Sequence, residues 1–281
     1  MQKIKPSTYV GERALYHIHD SLIENCVFED GESPLKECHN LEVRNTEFRW
    51  KYPMWYSENI NCEKIKILES ARSGVWYTKN ITIKDSIMEC PKYFRKCQGV
   101  KLINTNLPHA LETFWDSKDI LIKDVRAKGD YLCFRCENVE VDNLYLEGNY
   151  AFDSCKNVTI RNSILNSKDS CWNVENAVII NCRIIGEYLG WNSKNLTFID
   201  CAIESNQGLC YIDKLVLKNT RLDNTDLCFE LCSGIDAEVV SHVISIKNPI
   251  SGRIKVQSVE EIILDKEMID PTKTEIIMEN E

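Results

Sequence analysis

The sequence predicts an all-β protein that folds as a single-stranded parallel β-helix of about thirteen coils of about 19 residues. Three observations support this prediction. A six-residue phrase recurs along the chain at a step close to 19 residues, the phrase alternates apolar and polar residues, and Asn or Asp stands at both of its ends in most copies. A helical repeat would instead show a period near 3.6 residues over longer segments.

The recurrent phrase reads Asn, apolar, any, apolar, any, Asn or Asp. Clear copies are NLEVRN at 40–45, NITIKD at 80–85, NVEVDN at 138–143, NVTIRN at 157–162 and NLTFID at 195–200. Alternation with a period of two predicts a β-strand with one buried face. The residues expected to point inward are Ile81, Ile83, Val139, Val141, Val158, Ile160, Leu196 and Phe198, and those expected to point outward are Thr82, Glu140, Thr159 and Thr197.

The Asn and Asp residues mark the corners between strands. Asn tolerates the left-handed backbone conformation that a sharp corner needs, and stacked amides can bond from one coil to the next. Because the repeat runs through most of the chain, we expect one domain over residues 1–281, with the coils at 13–258. We expect an N-terminal cap at 1–12, and a C-terminal cap and acidic tail at 259–281, because an open end would expose unpaired strand edges.

Several further phrases carry a family resemblance: GERAL at 11–15, FEDGESPLK at 28–36, WKYP at 50–53, ARSGVWY at 71–77, GEYLGWN at 186–192 and NPISG at 248–252. They resemble an uncharacterised bacterial domain-of-unknown-function family of the pectate-lyase-like superfamily, in which some members are labelled putative hydrogenase. The resemblance implies a right-handed parallel β-helix and brings no catalytic residue with it. The lone pair Cys133-x-x-Cys136 is too little for the Cys₄ set of an iron–sulfur protein.

Composition excludes several classes of function. The net charge of −9 and the absence of a basic face disfavour nucleic-acid binding. No stretch approaches the ~20 apolar residues that span a bilayer, and the N-terminus lacks a secretory signal. We therefore expect a cytoplasmic protein whose fourteen cysteines are reduced. No motif indicates a metal or a cofactor, and we expect neither.

One repeat position, five residues before each strand, holds five of the six tryptophans. Aromatic faces stack on sugar rings, and contiguous exposed apolar patches mark binding surfaces. The sequence therefore predicts an outer face that binds a carbohydrate or another small polar ligand. The candidate ligand-binding residues are Trp55, Trp76, Arg95, Trp115, Trp172 and Trp191, with Tyr131, Tyr150 and Tyr188 from the column three residues earlier.

Four acidic residues beside this face, Glu112, Asp153, Asp169 and Glu187, are candidate catalytic groups. Paired carboxylates about 5–9.5 Å apart hydrolyse glycosides. The Gly-His-Gly and Asp-Asp motifs of hydrolases in this superfamily do not occur in the chain, so the sequence leaves open whether the protein is an enzyme. The alternative is a non-enzymatic scaffold whose Trp stripe contacts a partner or a second subunit of a homo-oligomer.

Overall fold

The computed structural model describes residues 1–279 and confirms the predicted fold. The chain is an all-β parallel solenoid of about 15 turns of about 19 residues, with almost no helix. The predicted count of thirteen coils was too low, because strands also form at both ends of the chain, where the Asn phrase is missing. Two compact units are present, Met1–Leu146 and a second that begins at Glu147.

Fourteen strands begin in the first unit, with one 3-10 helix at Glu69–Ala71. They are β1 (Gln2–Lys3), β2 (Thr8–Tyr9), β3 (His19–Glu24), β4 (Val27–Phe28), β5 (His39–Arg44), β6 (Glu47–Phe48), β7 (Met54–Trp55), β8 (Glu58–Glu63), β9 (Lys66–Ile67), β10 (Val75–Trp76), β11 (Lys79–Met88), β12 (Gln98–Leu107), β13 (Lys118–Lys128) and β14 (Glu137–Glu147).

Between residues 147 and 279 ten strands begin in the second unit, with one 3-10 helix at Pro271–Lys273. They are β15 (Lys156–Arg161), β16 (Ile164–Asn166), β17 (Glu175–Ile180), β18 (Arg183–Ile185), β19 (Lys194–Ile199), β20 (Ala202–Glu204), β21 (Asp213–Leu222), β22 (Ile235–Lys247), β23 (Gly252–Ile263) and β24 (Thr274–Met278). No helix among residues 1–279 has the length and apolar character needed to cross a membrane.

Equivalent residues of successive turns pair side by side in parallel register. In the first unit Ile81 is paired with Ile60 on one side and Val100 on the other. In the second unit Leu196 lies between Ala177 and Leu215 in the same way. All eight residues predicted to point inward are buried, whereas Thr82, Glu140, Thr159 and Thr197 are not. The period-two pattern therefore predicted the core correctly.

Asparagine ladders hold the corners in both units. Asn59 donates a hydrogen bond from Nδ2 to Oδ1 of Asn40 at 3.0 Å, and Asn80 donates to Asn59 at 3.1 Å. In the second unit Asn195 donates to Asn176 at 2.9 Å. These residues have φ near +55°, the left-handed conformation that Asn tolerates. Each corner amide thus bonds across turns, as the sequence predicted.

Both segments predicted as caps contain strands. Strand β1 pairs with β3, with Gln2 opposite Ser21, and β24 pairs with β23, with Ile276 opposite Ile254. These pairings continue the parallel ladder beyond the predicted coils at 13–258. Residues 280 and 281 of the predicted acidic tail lie outside the described residues.

Candidate functional site

Five side chains of the first unit form a row, which we call the tryptophan column: Trp55, Trp76, Arg95, Trp115 and Phe134. Strands β7 and β10 pair Trp55 with Trp76, and isolated parallel bridges continue from Trp76 to Arg95, Trp115 and Phe134. Every member is half-buried. The structure therefore brings together the four candidate ligand-binding residues that the sequence analysis placed at this repeat position in the first unit.

Neighbouring members of the tryptophan column lie against one another, and Trp55 and Trp76 do so face to face. The ring centres of Trp55 and Trp76 are 4.9 Å apart, and their planes differ by 7°. The Arg95 guanidinium lies 5.0 Å from the ring centre of Trp76 and 4.5 Å from that of Trp115, which makes cation–π contacts on both sides. Because the rings repeat at about the 4.7–4.9 Å spacing of paired strands, their faces are occupied and their edges remain for a ligand.

The indole N–H groups of the column are also engaged. Trp55 donates from Nε1 to the carbonyl of Ser73 at 2.7 Å, and Trp76 donates to the carbonyl of Lys92 at 2.9 Å. Trp115 makes the equivalent bond to a carbonyl 16 residues further along the chain, at 3.2 Å. Each indole therefore anchors the loop of the following turn. Sequence reasoning missed this role, because repeat spacing does not show which acceptor an indole N–H reaches.

In the second unit Trp172 and Trp191 repeat the arrangement. Their ring centres are 5.8 Å apart with planes 15° from parallel. Trp172 donates to the carbonyl of Tyr188 at 2.7 Å, and Trp191 donates to that of Gln207 at 3.0 Å. Tyr211 covers Trp191 at 5.1 Å. The same internal bonding thus recurs at both tryptophans.

The predicted flanking tyrosines stand edge-to-face against the tryptophans. In the first unit the ring centres of Tyr131 and Trp115 are 6.2 Å apart. In the second unit the distance between ring centres is 6.3 Å for Tyr150 and Trp172 and 5.5 Å for Tyr188 and Trp191. All three tyrosines are half-buried, so they border the tryptophans as predicted.

Two of the four candidate catalytic carboxylates are ion-paired. Glu112 of the first unit accepts a hydrogen bond from Arg95 and lies 3.4 Å from the Lys92 ammonium. Glu187 of the second unit lies 3.0 Å from the ammonium of Lys168. Both carboxylates are therefore already engaged by cations of the fold.

The other two carboxylates, Asp153 and Asp169, are held differently. Asp153 accepts hydrogen bonds from the Ser154 hydroxyl at 2.8 Å and from the Asn173 amide at 3.2 Å. Asp169 is only 3% exposed, and burial raises the pKa of its carboxyl. Its backbone N–H donates to the carbonyl of Glu187 on the adjacent turn at 2.9 Å. Asp169 is the carboxyl in this group best placed to retain a proton.

A second aromatic row beside the tryptophan column was missed by the sequence analysis. Tyr56 and Tyr77 stack at 4.7 Å with planes 4° from parallel. The Lys36 ammonium lies 5.6 Å from the ring centre of Tyr56, and that of Lys96 lies 5.8 Å from Tyr77. The signal was present in the sequence, since a tyrosine directly follows both Trp55 and Trp76.

Among residues 1–279 no group of three or more His, Cys, Asp or Glu side chains is arranged to hold a metal ion.

A family model described as "Protein of unknown function (DUF3737)" matches residues 2–277. The chain belongs to this family. The match spans nearly the whole chain and agrees with the resemblance that the sequence phrases indicated. No curated protein matches the sequence.

Several solved structures are similar to this member of the family in fold. PfbA, a surface adhesin of Streptococcus pneumoniae, is 11% identical over 92% of this chain and 70% of its own, with a TM-score of 0.36. A TibC-catalysed hyper-glycosylated TibA fragment is 7% identical over 94% of this chain and 98% of its own, with a TM-score of 0.35. The GH136 lacto-N-biosidase from Eubacterium ramulus is 8% identical over 98% of this chain and 68% of its own, with a TM-score of 0.33. At these values the likeness concerns the fold alone.

Proposed function

We propose that the protein binds a carbohydrate or another polar ligand along the outer edges of its tryptophans and the tyrosines beside them. The observation that carries this proposal is the repetition of one arrangement on successive turns. Rigid indole edges alternate with phenol groups at Tyr131 in the first unit and at Tyr150 and Tyr188 in the second. Amphipathic aromatic side chains of this kind offer apolar area together with hydroxyl groups for hydrogen bonding.

The proposal is one of binding rather than hydrolysis. Glu112 and Glu187 are neutralised by cations, and Asp153 already accepts two hydrogen bonds. If the face also performs chemistry, the role of general acid falls to Asp169, because a general acid must hold a proton near neutral pH and burial raises the pKa of this carboxyl.

A second candidate function is that of a scaffold whose tryptophans lie under a partner or a second subunit. The observation that favours it is the internal use of the indoles: their N–H groups bond to backbone carbonyls, as Trp76 does to Lys92. Their faces are covered by neighbouring members of the column, as Trp55 and Trp76 cover each other. Such a surface is rigid and preorganised, which also suits a protein interface.

Binding of the protein to a glycan array, repeated with phenol-to-phenyl variants, tests the first candidate. Tyr188→Phe removes only a hydroxyl group and leaves the ring that packs against Trp191. Tyr150→Phe likewise keeps the ring against Trp172, but it also removes the hydrogen bond from the Tyr150 hydroxyl to Asp169. We expect each to weaken glycan binding, whereas Tyr9→Phe, at the N-terminal end of the first unit, leaves it unchanged. Light scattering of the same samples reports the oligomeric state. Absence of glycan binding together with a stable dimer that Trp172→Ala dissociates would favour the scaffold.

We further propose a cytoplasmic location. All fourteen cysteines are buried, and none of them forms a disulfide bond. Proteins that contain many cysteines but no disulfide bonds are typical of reducing compartments. A cell fractionation experiment with an antibody against the protein tests this, and recovery outside the cytoplasm would contradict it.

A further inference from the structure

A cavity of about 760 Å³ opens on the first unit, and no member of the tryptophan column lines it. It lies where one turn is longer than its neighbour. Ile60 pairs with Ile81, which is 21 residues further on, whereas Ile81 pairs with Val100 after 19. The longer turn contains the 3-10 helix Glu69–Ala71, and the cavity lies between that helix and Trp50 on the preceding turn. Its volume is within the usual range of about 300–1,000 Å³ for small-molecule sites.

Trp50 is the sixth tryptophan and differs from the other five. It lies outside the tryptophan column, and within residues 1–279 its indole N–H has no hydrogen-bond acceptor and its ring stacks on no other aromatic ring. The Lys51 ammonium lies 5.1 Å from the centre of the Trp50 ring. The side chain of Trp50 therefore lines the cavity and keeps a donor that the tryptophans of the column use within the fold.

Two of the four charged side chains in the wall of the cavity lie beside an opposite charge. Lys51 lies 3.4 Å from Glu32, and Glu89 lies 3.5 Å from Lys66. The carboxylate of Glu69 lies 3.7 Å from a ring nitrogen of His109, a contact that offsets its charge only when the imidazole is protonated. One charged side chain of the wall, a cation, remains.

That side chain is Arg72, which is exposed and, among the described residues, has no acidic partner within ion-pair distance. Its backbone is held in place, because its carbonyl accepts a hydrogen bond from the Tyr52 N–H at 3.3 Å. The adjacent 3-10 helix is tied to the preceding turn by the Ser70 hydroxyl, which donates to the Arg49 carbonyl at 2.6 Å. A guanidinium in a rigid wall is suited to bidentate binding of a carboxylate or a phosphate.

We propose that this cavity binds an acidic sugar, with the pyranose ring against Trp50 and the carboxylate or phosphate of the sugar on Arg72. The ring and the guanidinium line the same cavity from two successive turns. The lining residues are different from the members of the tryptophan column, and the proposal does not depend on the glycan binding proposed for that face.

Isothermal titration with three probes tests the proposal: galacturonate, glucose 6-phosphate and glucose. We expect at least one acidic sugar to bind about tenfold or more tightly than glucose, and the stronger of the two identifies a carboxylate or a phosphate as the anion. Arg72→Ala should remove this preference. Trp50→Ala should weaken binding of the acidic sugar by about tenfold.

Matched controls keep the test specific. Arg183→Ala removes an exposed guanidinium from the second unit, and Trp115→Phe changes the tryptophan column; both should bind the acidic sugar like the parent protein. If Trp50→Ala does not fold, Arg72→Ala still tests the proposal, because Arg72 is exposed. Absence of binding by all three probes, equal binding of glucose, or an unchanged affinity in Arg72→Ala would each overturn it. Loss of binding in Trp115→Phe alone would instead assign the ligand to the column.

Discussion

The indole N–H of Trp76 donates a hydrogen bond to the carbonyl oxygen of Lys92 at 2.9 Å, although 16 residues separate them. The bond crosses from one turn to the next and is repeated by the other four tryptophans at this repeat position. A row that the sequence presents as a binding surface therefore also fastens successive turns together.

Replacing Trp76 by Phe removes this bond and keeps an aromatic ring in the column. We expect the free energy of unfolding to fall by about 1–2 kcal/mol, from the lost hydrogen bond and the smaller ring. Urea denaturation followed by circular dichroism measures the change. Trp50→Phe is the control, because the Trp50 N–H has no acceptor among residues 1–279; an equal loss in both variants would contradict the anchoring role.

We expect the substitution of valine for threonine to change the free energy of unfolding in opposite directions at two buried positions of the first unit. The Thr113 hydroxyl is buried and has no hydrogen-bond partner in the described part of the chain, so Thr113→Val should raise the free energy of unfolding by about 1 kcal/mol. The Thr78 hydroxyl donates to the Met54 carbonyl at 2.9 Å and accepts from the Ser57 N–H at 3.3 Å. Thr78→Val should therefore lower the free energy of unfolding by about 1–3 kcal/mol.

Thermal and urea denaturation of the two valine variants, side by side with the parent protein, make this comparison. Both side chains are fully buried, so differences in solvent exposure do not complicate it. Destabilisation of equal size in both variants would show that the Thr113 hydroxyl has a partner in solution.

The carboxyl of Asp169 predicts a pH dependence of stability. Burial raises its pKa in the folded state, so the folded protein binds this proton more tightly than the unfolded chain does. The stabilising contribution of the proton is complete below the unfolded pKa and is lost as the pH rises through the folded pKa. Asp169→Asn removes this dependence, so the variant should gain stability relative to the parent as the pH increases across that interval.

Denaturation of both proteins over a series of pH values measures this difference. Asp270→Asn is a control of opposite sign, because hydrogen bonds from Thr272 lower the pKa of Asp270 in the folded state. An Asp169→Asn variant that tracks the parent protein at every pH would contradict the effect of burial.

We expect the cysteine thiols of the native protein to react with an alkylating reagent at different rates. Burial raises the pKa of Cys97 and of Cys171 to about 12, which leaves little thiolate at neutral pH. Cys201 differs, because a hydrogen bond from the Cys182 thiol lowers its pKa. Both Cys182 and Cys201 line a surface cavity of about 490 Å³ in the second unit.

Alkylation of the native protein should therefore modify Cys201 first, as mass spectrometry of peptides would show. Cys182→Ala removes the hydrogen bond and should slow the reaction at Cys201. All fourteen cysteines should react after denaturation. Faster modification of Cys97 than of Cys201 in the native protein would contradict the assignment.

The sequence alone determined the repeat, the inward residues and the row of tryptophans, because each depends on the period of the chain. Ile160 is buried and paired with Ile179 because both occupy one position of a period-two strand in a 19-residue repeat. The same arithmetic placed Trp55 next to Trp76. It did not predict the turns at the two ends, since the strand at Thr274–Met278 lacks the Asn phrase and forms by pairing with its neighbour.

Only the tertiary structure decided which groups of those side chains remain available to a ligand. The Trp76 and Trp50 side chains are chemically identical, yet the N–H of the first donates to the Lys92 carbonyl, whereas the second lines a cavity. The difference arises from contacts between turns, where a carbonyl is within reach of one indole and a longer loop leaves space beside the other. Repeat spacing places a side chain in a column, but hydrogen bonding and stacking across turns determine whether its donor and its face are already used.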